Sequence, residues 1–261
     1  MRKKNMALLL EYDGSRYDGW QRQGNTDNTI EGKLEKILER LTGACQQVHG
    51  SGRTDAGVHA AGQVANVCLD TDMSEGELRD YLNRYLPEDI KVLQVREVPE
   101  RFHSRLWAKE KTYTYYIDMD EKSSVFARKY TYAVGKGLDV GAMEQAVGYL
   151  VGTHDFAGFC SNKKKKKSTV RTIKDIRFQV SKNCLSVSVT GDGFLYNMVR
   201  ILVGTLIEIG LGKRTPDSVK EVLDSRDRQA AGFMAPARGL FLVSVVYETE
   251  IFPVEVEETV R

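Results

Sequence analysis

Residues 28–43 read NTIEGKLEKILERLTG, a stretch in which apolar side chains recur with the spacing of one helix face. These apolar positions are Ile30, Leu34, Ile37, Leu38 and Leu41. Strand-like segments flank the helix: MALLLEY at 6–12 precedes it, and QQVHG at 46–50 and GQVANVCLD at 62–70 follow it. A helix inserted between apolar strands predicts a domain in which helices pack against a sheet.

The same alternation of strands and helices occurs in both halves of the chain. The first half ends with a helix at 74–87, opened by Ser74 with Glu77 in capping-box register, and a strand at 91–98. The second half predicts strands at 112–118, 172–181, 184–191 and 240–248, and helices at 139–152, 194–210 and 216–225. We therefore predict an α+β fold of two similar α/β halves, each βαββαβ-like with an antiparallel mixed sheet.

The two halves are expected to span residues 1–105 and 106–261. No Pro/Ser-rich linker separates them, so they are expected to pack side by side. A cleft between packed halves is a common place for a site, and we predict a central catalytic cleft there. In this arrangement the C-terminal half is expected to complete the cleft.

The composition is that of an ordinary globular protein: of 261 residues, 41% are hydrophobic and 28% are charged. No apolar run approaches the length of a membrane span, and the apolar part of the opening stretch MRKKNMALLLEYDG is too short for a signal peptide. We therefore expect a cytoplasmic protein without a membrane segment. The four cysteines and four histidines are dispersed without metal-site spacing, so neither a metal nor a disulfide framework is expected.

The net charge is only +2, from 38 basic and 36 acidic residues, but the charges are segregated along the chain. Five lysines stand at 163–167, whereas the stretch from Glu248 to Glu258 is rich in glutamate. Such segregation permits a basic face on a protein without a basic total. The lysine run fits either a solvated loop or a contact with phosphate groups, and the sequence leaves both open.

The segment GSGRTDAGVHA at 50–60 places Arg53 and Asp55 among glycines and alanines. Small residues allow a partner to approach the backbone closely. Thr-Asp-Ala-Gly is also a good turn sequence, so Asp55 could be a turn former alone. Arg53 beside it favours a site, because a cation for phosphate and an acid for the sugar or base form the pair that a nucleotide site needs.

This segment resembles the signature loop of the TruA family of tRNA pseudouridine synthases. Six further segments resemble the family in the same order: LEYDGSRYDGWQRQ at 10–23, RFHSRLWAKEKTYTYY at 101–116, GTHDF at 152–156, RTI at 171–173, GFLYNMVRILVGTL at 193–206 and AP-x-x-GLFL at 235–242. The similarity covers nearly the whole chain. The sequence departs from the family pattern at IEG, 30–32, and at MAP, 234–236, and neither departure contains a residue of the catalytic set.

The resemblance implies roles for four residues. Asp55 matches the catalytic aspartate, the nucleophile of uridine-to-pseudouridine isomerisation, and Arg200 matches an arginine that pairs with it. Tyr113 matches a tyrosine that stacks on the target base and serves as acid or base near C5, and Arg53 matches a residue that replaces the extruded nucleotide. An arginine in a helix as apolar as that around Arg200 needs an anionic partner in any case. A nearby arginine is expected to lower the pKa of Asp55 and favour its ionised form.

The resemblance also implies where the site lies, what the substrate is and how the protein assembles. The N-terminal half, 1–105, is expected to carry the catalytic Asp55 loop and the RNA-binding surface, and the C-terminal half, 106–261, to complete the active-site cleft. It implies an isomerase without cofactor or metal that acts on uridines 38, 39 and 40 in the anticodon stem-loop of tRNA. It implies a homodimer with tRNA crossing between subunits, and we expect the strand at 240–248 and the helix around 198–211 to supply apolar surface for the contact. The closest alternative is a synthase of the same family that acts at another tRNA position or on another RNA.

Two other classes of protein remain as alternatives. A non-catalytic RNA-binding protein on the same scaffold would be expected to lack Asp55, Tyr113 or Arg200, and all three are present. A hydrolase using Asp55 with His59 and a metal would need further clustered ligands, which the sequence does not offer. His59 is expected instead to pack the loop or to contact RNA, and Trp20 to fix a turn beside the cleft.

Overall fold

A computed structural model of the chain describes residues 2–162 and 168–252. The five lysines at 163–167 lie outside the described residues, so both hypotheses about them stay open. The strands are β1 (Arg2–Tyr12), β2 (His49–Gly50), β3 (His59–Thr71), β4 (Ile90–Val98), β5 (Glu110–Asp118), β6 (Tyr132–Ala133), β7 (Gly152–Asp155), β8 (Val170–Ser181), β9 (Cys184–Gly191) and β10 (Leu240–Val246). The helices are α1 (Ile30–Thr42), α2 (Glu75–Tyr85), α3 (Val140–Leu150), α4 (Met198–Gly210) and α5 (Ser218–Ser225). In this described part of the chain, no helix combines the length and the apolar character that crossing a bilayer requires.

The strands join into one mixed sheet with the order β4-β1-β3-β10-β5-β9-β8-β7, to which β2 adds beside β3 and β6 beside β5. Most neighbouring strands are antiparallel, whereas β10 runs parallel to β3 and β6 parallel to β5. The apolar side chains of sheet and helices form a single buried cluster that runs from Met6 in β1 to Leu242 in β10. The predicted α+β class with antiparallel mixed pairing is confirmed.

The last strand of the chain joins the two predicted halves. In β10, Phe241 and Leu242 pair with His59 and Ala60 at the start of β3, while the opposite edge of β10 pairs with β5. The strands of both halves therefore belong to one continuous sheet, with its seam at β10. The start of β3 and the middle of β5 meet at this seam, which brings the loop before β3 close to β5. The division of the chain at residue 105 stays a prediction.

Helix starts follow the signals in the sequence. The Thr29 side chain accepts a hydrogen bond from the Gly32 N–H and caps α1. The Ser74 hydroxyl accepts from the Glu77 N–H, and the Glu77 carboxylate accepts from the Ser74 N–H, so the predicted capping box at α2 is confirmed.

Two of the predicted elements that differ in extent from the observed ones lie close to the site. α4 begins at Met198 and not at residue 194, because Asn197 has a left-handed φ of 61° that the helix cannot include. The predicted strand at 46–50 is reduced to the two residues of β2, since only His49 and Gly50 pair with β3. Both departures lie next to the cavity described below.

The two surfaces expected to serve dimerisation differ in exposure. β10 has neighbours on both edges, so it is not free to extend the sheet of a second copy, but five of its seven residues are partly or fully exposed. Nearly every residue of α4 is buried, including Ile201, Leu202 and Leu206. α4 therefore has little apolar surface to offer a second copy, whereas a contact through the face of β10 and the homodimer itself stay predictions.

Candidate active site

Asp55 lies in a tight turn between β2 and β3. The Asp55 carbonyl accepts from the Val58 N–H at 3.1 Å, and Gly57 has a φ of 76°, as a type II turn requires at its third position. Two contacts of Thr54 fix the turn. The Thr54 hydroxyl lies 2.8 Å from the Tyr12 hydroxyl, and the Thr54 carbonyl accepts from the Trp20 N–H at 3.0 Å. Turn and site are thus the same structure: the turn holds Asp55 at a fixed place.

Arg200 is the charged partner of Asp55. Its Nη1 lies 3.5 Å from Oδ2 of Asp55, and the two side chains are only 11% and 22% exposed. Nε of Arg200 donates to the Ala235 carbonyl at 2.7 Å, and Nη1 also donates to Oδ1 of Asn197 at 3.1 Å. The left-handed Asn197 therefore ends the loop before α4 and also orients the guanidinium. The structure brings together two residues that stand 145 positions apart in the sequence.

Burial raises the pKa of the Asp55 carboxyl above its ordinary value, although the Arg200 charge and hydrogen bond oppose the rise. We expected an arginine to lower the pKa of Asp55. Arg200 does act in that direction, but the effect of burial is larger and the pKa is raised overall. Removing water from a carboxylate disfavours its charge more than this ion pair favours it. The result is a buried acid next to a buried cation, an arrangement typical of reactive sites.

Tyr113 is a central residue of β5 and is buried, with its hydroxyl facing the Asp55 loop. The Phe194 ring meets the Tyr113 ring edge-on at a centroid distance of 5.2 Å. Burial raises the pKa of Tyr113, and the charges of Tyr12 and Asp55 add to the rise, so its hydroxyl is protonated at neutral pH. Tyr115 points the same way along the strand, but its hydroxyl donates to the Pro236 carbonyl at 2.8 Å and serves packing.

Arg53 is exposed at the rim of the site, two residues before Asp55. Its guanidinium interacts through its charge with Glu31 and with Arg105. The ion pair of Asp55 is made by Arg200, so the sequence pair of Arg53 and Asp55 is not the charge pair of the structure.

These residues surround one cavity of about 320 Å³. Asp55, Tyr113 and Arg200 all line it, and Arg53 stands at its mouth. The cavity also has lining residues that sequence reasoning missed: Arg105, Lys111, Phe194 and Tyr196. For Lys111 a signal was present, since side chains two apart on a strand lie on the same face and Lys111 stands two before Tyr113. A cavity of this size with a few converging polar groups has the character of a small-molecule or nucleotide site.

His59 lies outside this cavity and is fully buried. Its Nδ1 accepts from the Gly14 N–H at 3.1 Å, its Nε2 donates to the Arg238 carbonyl at 3.1 Å, and its ring stacks on Phe241. Burial lowers the pKa of His59, so the imidazole is neutral at pH 7. Both ring nitrogens thus make hydrogen bonds to buried backbone groups, which supports the hypothesis that His59 packs the loop. His59 is therefore not available as the base that the hydrolase alternative needs. Among residues 2–162 and 168–252, no three His, Cys, Asp or Glu side chains form a group that could hold a metal ion.

Comparisons with known proteins find relatives over nearly the whole chain. A family model described as tRNA pseudouridine synthase matches residues 9–105 and 146–248, which include Asp55 and Arg200. The chain is 50% identical to tRNA pseudouridine synthase A of Bacillus sp. (strain KSM-64) over 243 residues, 93% of this chain and 99% of the relative. It is 44% identical to tRNA pseudouridine synthase A 2 of Bacillus anthracis, with the same coverage of both chains. It is also 44% identical to tRNA pseudouridine synthase A of Clostridium kluyveri over 244 residues, 94% of this chain and 100% of the relative.

Proposed function

The chain belongs to the tRNA pseudouridine synthase family, and on that basis we propose that it isomerises uridine to pseudouridine in the anticodon stem-loop of tRNA, at positions 38, 39 and 40. The observation that carries the proposal is the ion pair of Asp55 and Arg200 in the wall of a cavity that Tyr113 also lines. The proposed activity belongs to the cytoplasm, because tRNA is the substrate.

The isomerisation breaks the bond between ribose C1′ and uracil N1 and forms a bond between C1′ and C5. N1 gains a proton and C5 loses one, so substrate and product contain the same atoms and neither an oxidant nor a reductant is needed. We assign the nucleophile to Asp55. Its carboxylate can attack C1′, add to the uracil ring, or remove a sugar proton to leave a glycal, and all three routes need the ionised form.

Arg200 serves that need. Its charge opposes the effect of burial on Asp55 and keeps the carboxylate available at neutral pH. Two fixed acceptors, the Ala235 carbonyl and the Asn197 amide oxygen, hold the guanidinium in place before substrate arrives. Arg200 therefore positions Asp55 and stabilises its charge.

Tyr113 supplies an aromatic face and a protonated hydroxyl to the same cavity. We propose that its ring stacks on the target uracil and that its hydroxyl handles the proton near C5. The target nucleotide has to leave the stacked helix to enter the cavity. We propose that Arg53 occupies the gap that the nucleotide leaves, and its exposure at the rim of the cavity supports this role.

Three neighbouring target positions with variable sequence cannot share one pattern of base-edge hydrogen bonds. We therefore propose that the protein recognises the stem-loop by shape and phosphate contacts. The homodimer is part of this proposal, with one tRNA crossing two protomers. Sedimentation of the RNA-free protein as a dimer is the expected result, and an active monomer at micromolar concentration would contradict this part.

The experiment that tests the proposal maps pseudouridines in tRNA from cells with and without the gene. Loss at positions 38–40, and restoration by the wild-type gene, is the expected result. Loss at other tRNA positions or in another RNA would favour the alternative of a family member with a different target. An unchanged pseudouridine map would contradict the proposed function.

A further inference from the structure

Lys111 shares the wall of the cavity with Tyr113 but has no part in the chemistry proposed above. Both side chains point to the same face of β5, because they are two residues apart on a strand. A methyl group placed on Gly52 of the Asp55 loop would lie 3.4 Å from the Tyr113 hydroxyl and 4.0 Å from Nζ of Lys111. The ammonium group is therefore beside the loop that carries Asp55, within the reach of a bound nucleotide.

The surroundings of Lys111 are mostly positive. Arg105 and Arg171 act on it as like charges, and Asp192 is the acid that opposes them. Arg105 in turn interacts with Arg53 at the rim. Arg171 donates to the carbonyls of Ser168 and Val170, so its position is fixed by backbone.

The charged form of Lys111 is disfavoured in the free protein. Lys111 is partly withdrawn from water, like charges lie near it, and Asp192 offsets their effect only in part. The Asp55 carboxylate does not relieve the repulsion, since it is paired with Arg200. A ligand with a negative charge would attract Lys111 and the neighbouring arginines. The tRNA backbone carries one such charge per nucleotide.

We propose that Lys111, supported by Arg105, binds a backbone phosphodiester next to the target uridine and so anchors the extruded nucleotide over Asp55 and Tyr113. The inference rests on the proposed function, because the phosphodiester is that of the tRNA substrate. Phosphate binding by an ammonium group is a point-charge contact, for which a flexible lysine stem is well suited.

The site gives tRNA binding a particular pH dependence. Burial, with Arg105 and Arg171, lowers the pKa of Lys111 to about 8 in the free protein. A bound phosphate favours the charged form and raises the pKa of Lys111 in the complex. Affinity should therefore be constant below about pH 8 and should fall above it, approaching tenfold per pH unit, as the free protein loses the proton that the complex retains.

The experiment measures binding of an anticodon stem-loop RNA between about pH 7 and about pH 9, in an Asp55→Asn background that prevents turnover. Lys111→Met should weaken binding about tenfold at pH 7, flatten the slope of log affinity against log salt by about one unit, and abolish the fall above pH 8. Lys111→Arg should keep the affinity at pH 7 but also lose the pH dependence, because arginine stays charged throughout.

A second arm identifies the phosphate. Neutral methylphosphonates are placed one at a time at the phosphates flanking the target uridine. At one position the methylphosphonate should weaken binding to the protein with Lys111 as much as Lys111→Met does. At that position it should cause no further loss of affinity in the Lys111→Met protein. A matched control is Lys109→Met, on the same segment but paired with Glu248 outside the cavity, which should leave the pH dependence intact.

Persistence of the pH dependence in Lys111→Met, or an additive loss at every methylphosphonate position, would overturn the proposal. The proposed function is judged by a different readout, the pseudouridine map of cellular tRNA. A protein that makes pseudouridine but binds tRNA independently of Lys111 would refute this inference alone.

Discussion

At the level of single residues, the reactivity of the site depends on two opposed effects on one carboxyl group. Burial raises the pKa of Asp55, and Arg200 lowers it by a smaller amount. In the proposed mechanism the ionised form of Asp55 reacts, so we expect activity above the Asp55 pKa and its loss as pH falls through that pKa. On this proposal Arg200 sets the lower pH limit of activity.

We predict that Arg200→Met raises the Asp55 pKa further, since only burial then acts on the carboxyl group. Single-turnover rates measured from about pH 5 to about pH 8 should show the acid limb displaced to higher pH, with the loss larger at pH 6 than at pH 8. Arg200→Lys keeps the positive charge and should move the limb back toward that of the wild type. An acid limb at the same pH in all three proteins would contradict the role given to Arg200.

At the level of elements, the helix that carries Arg200 is held by close backbone packing. In α4, a methyl group on Gly204 would lie 1.9 Å from the Phe233 carbonyl oxygen, so the backbone of the helix touches the backbone of the segment 233–235. In that segment the Ala235 N–H donates to the Arg200 carbonyl at 3.0 Å, and the Ala235 carbonyl accepts from Nε of Arg200. The contact at Gly204 therefore fixes the position of the guanidinium as well as that of the helix.

We predict that Gly204→Ala lowers the free energy of unfolding by about 2 kcal/mol or more, because the overpacked helix has to move away from Phe233. The matched control is Gly148→Ala in α3, which is exposed and has no heavy atom within 4 Å of the added methyl group. That change should stabilise the protein by up to about 1 kcal/mol through helix propensity. Urea unfolding of both variants measures the difference, and equal effects would contradict the packing argument.

The elements also show what the sequence can and cannot predict. Apolar periodicity and the capping box at Ser74 predicted α1 and α2 correctly, because those signals are local. α4 starts later than predicted, because the apolar run extends back to Phe194 and its periodicity gives no sign of the left-handed φ at Asn197. The seam at β10 also depends on pairing between distant segments, which periodicity does not encode.

The same distinction applies to the site. Asp55, Tyr113, Arg53 and Arg200 were named from motif resemblance, and the structure places all four at one cavity. The partner of Asp55 could not be read from spacing alone, because Arg53 is adjacent in sequence while Arg200 is adjacent in space. Lys111 shares a strand face with Tyr113, but a lysine on a strand is ordinarily a solvent-facing residue, so that signal alone did not identify it as part of the site.

At the level of the whole molecule, the closing strand places residues from both halves around one cavity. Asp55 comes from the loop before β3, Tyr113 from β5 and Arg200 from α4, and β10 lies between β3 and β5. The site therefore exists only in the assembled fold. We propose that the fold presents the ionised carboxylate of Asp55 to an extruded uridine.

Single-turnover pseudouridine formation by Asp55→Asn on an unmodified anticodon stem-loop tests this role of Asp55 directly. The variant keeps the size of the side chain and an oxygen that can accept from Arg200, but it loses the negative charge. Asp175→Asn, the same change at a partly exposed residue of β8 that pairs with Arg177, is the control. We predict that Asp55→Asn loses about a thousandfold or more in rate while tRNA affinity and the melting temperature stay close to those of the control. Retention of more than about a tenth of the wild-type rate would show that Asp55 is not the nucleophile, because loss of a nucleophile costs far more than that.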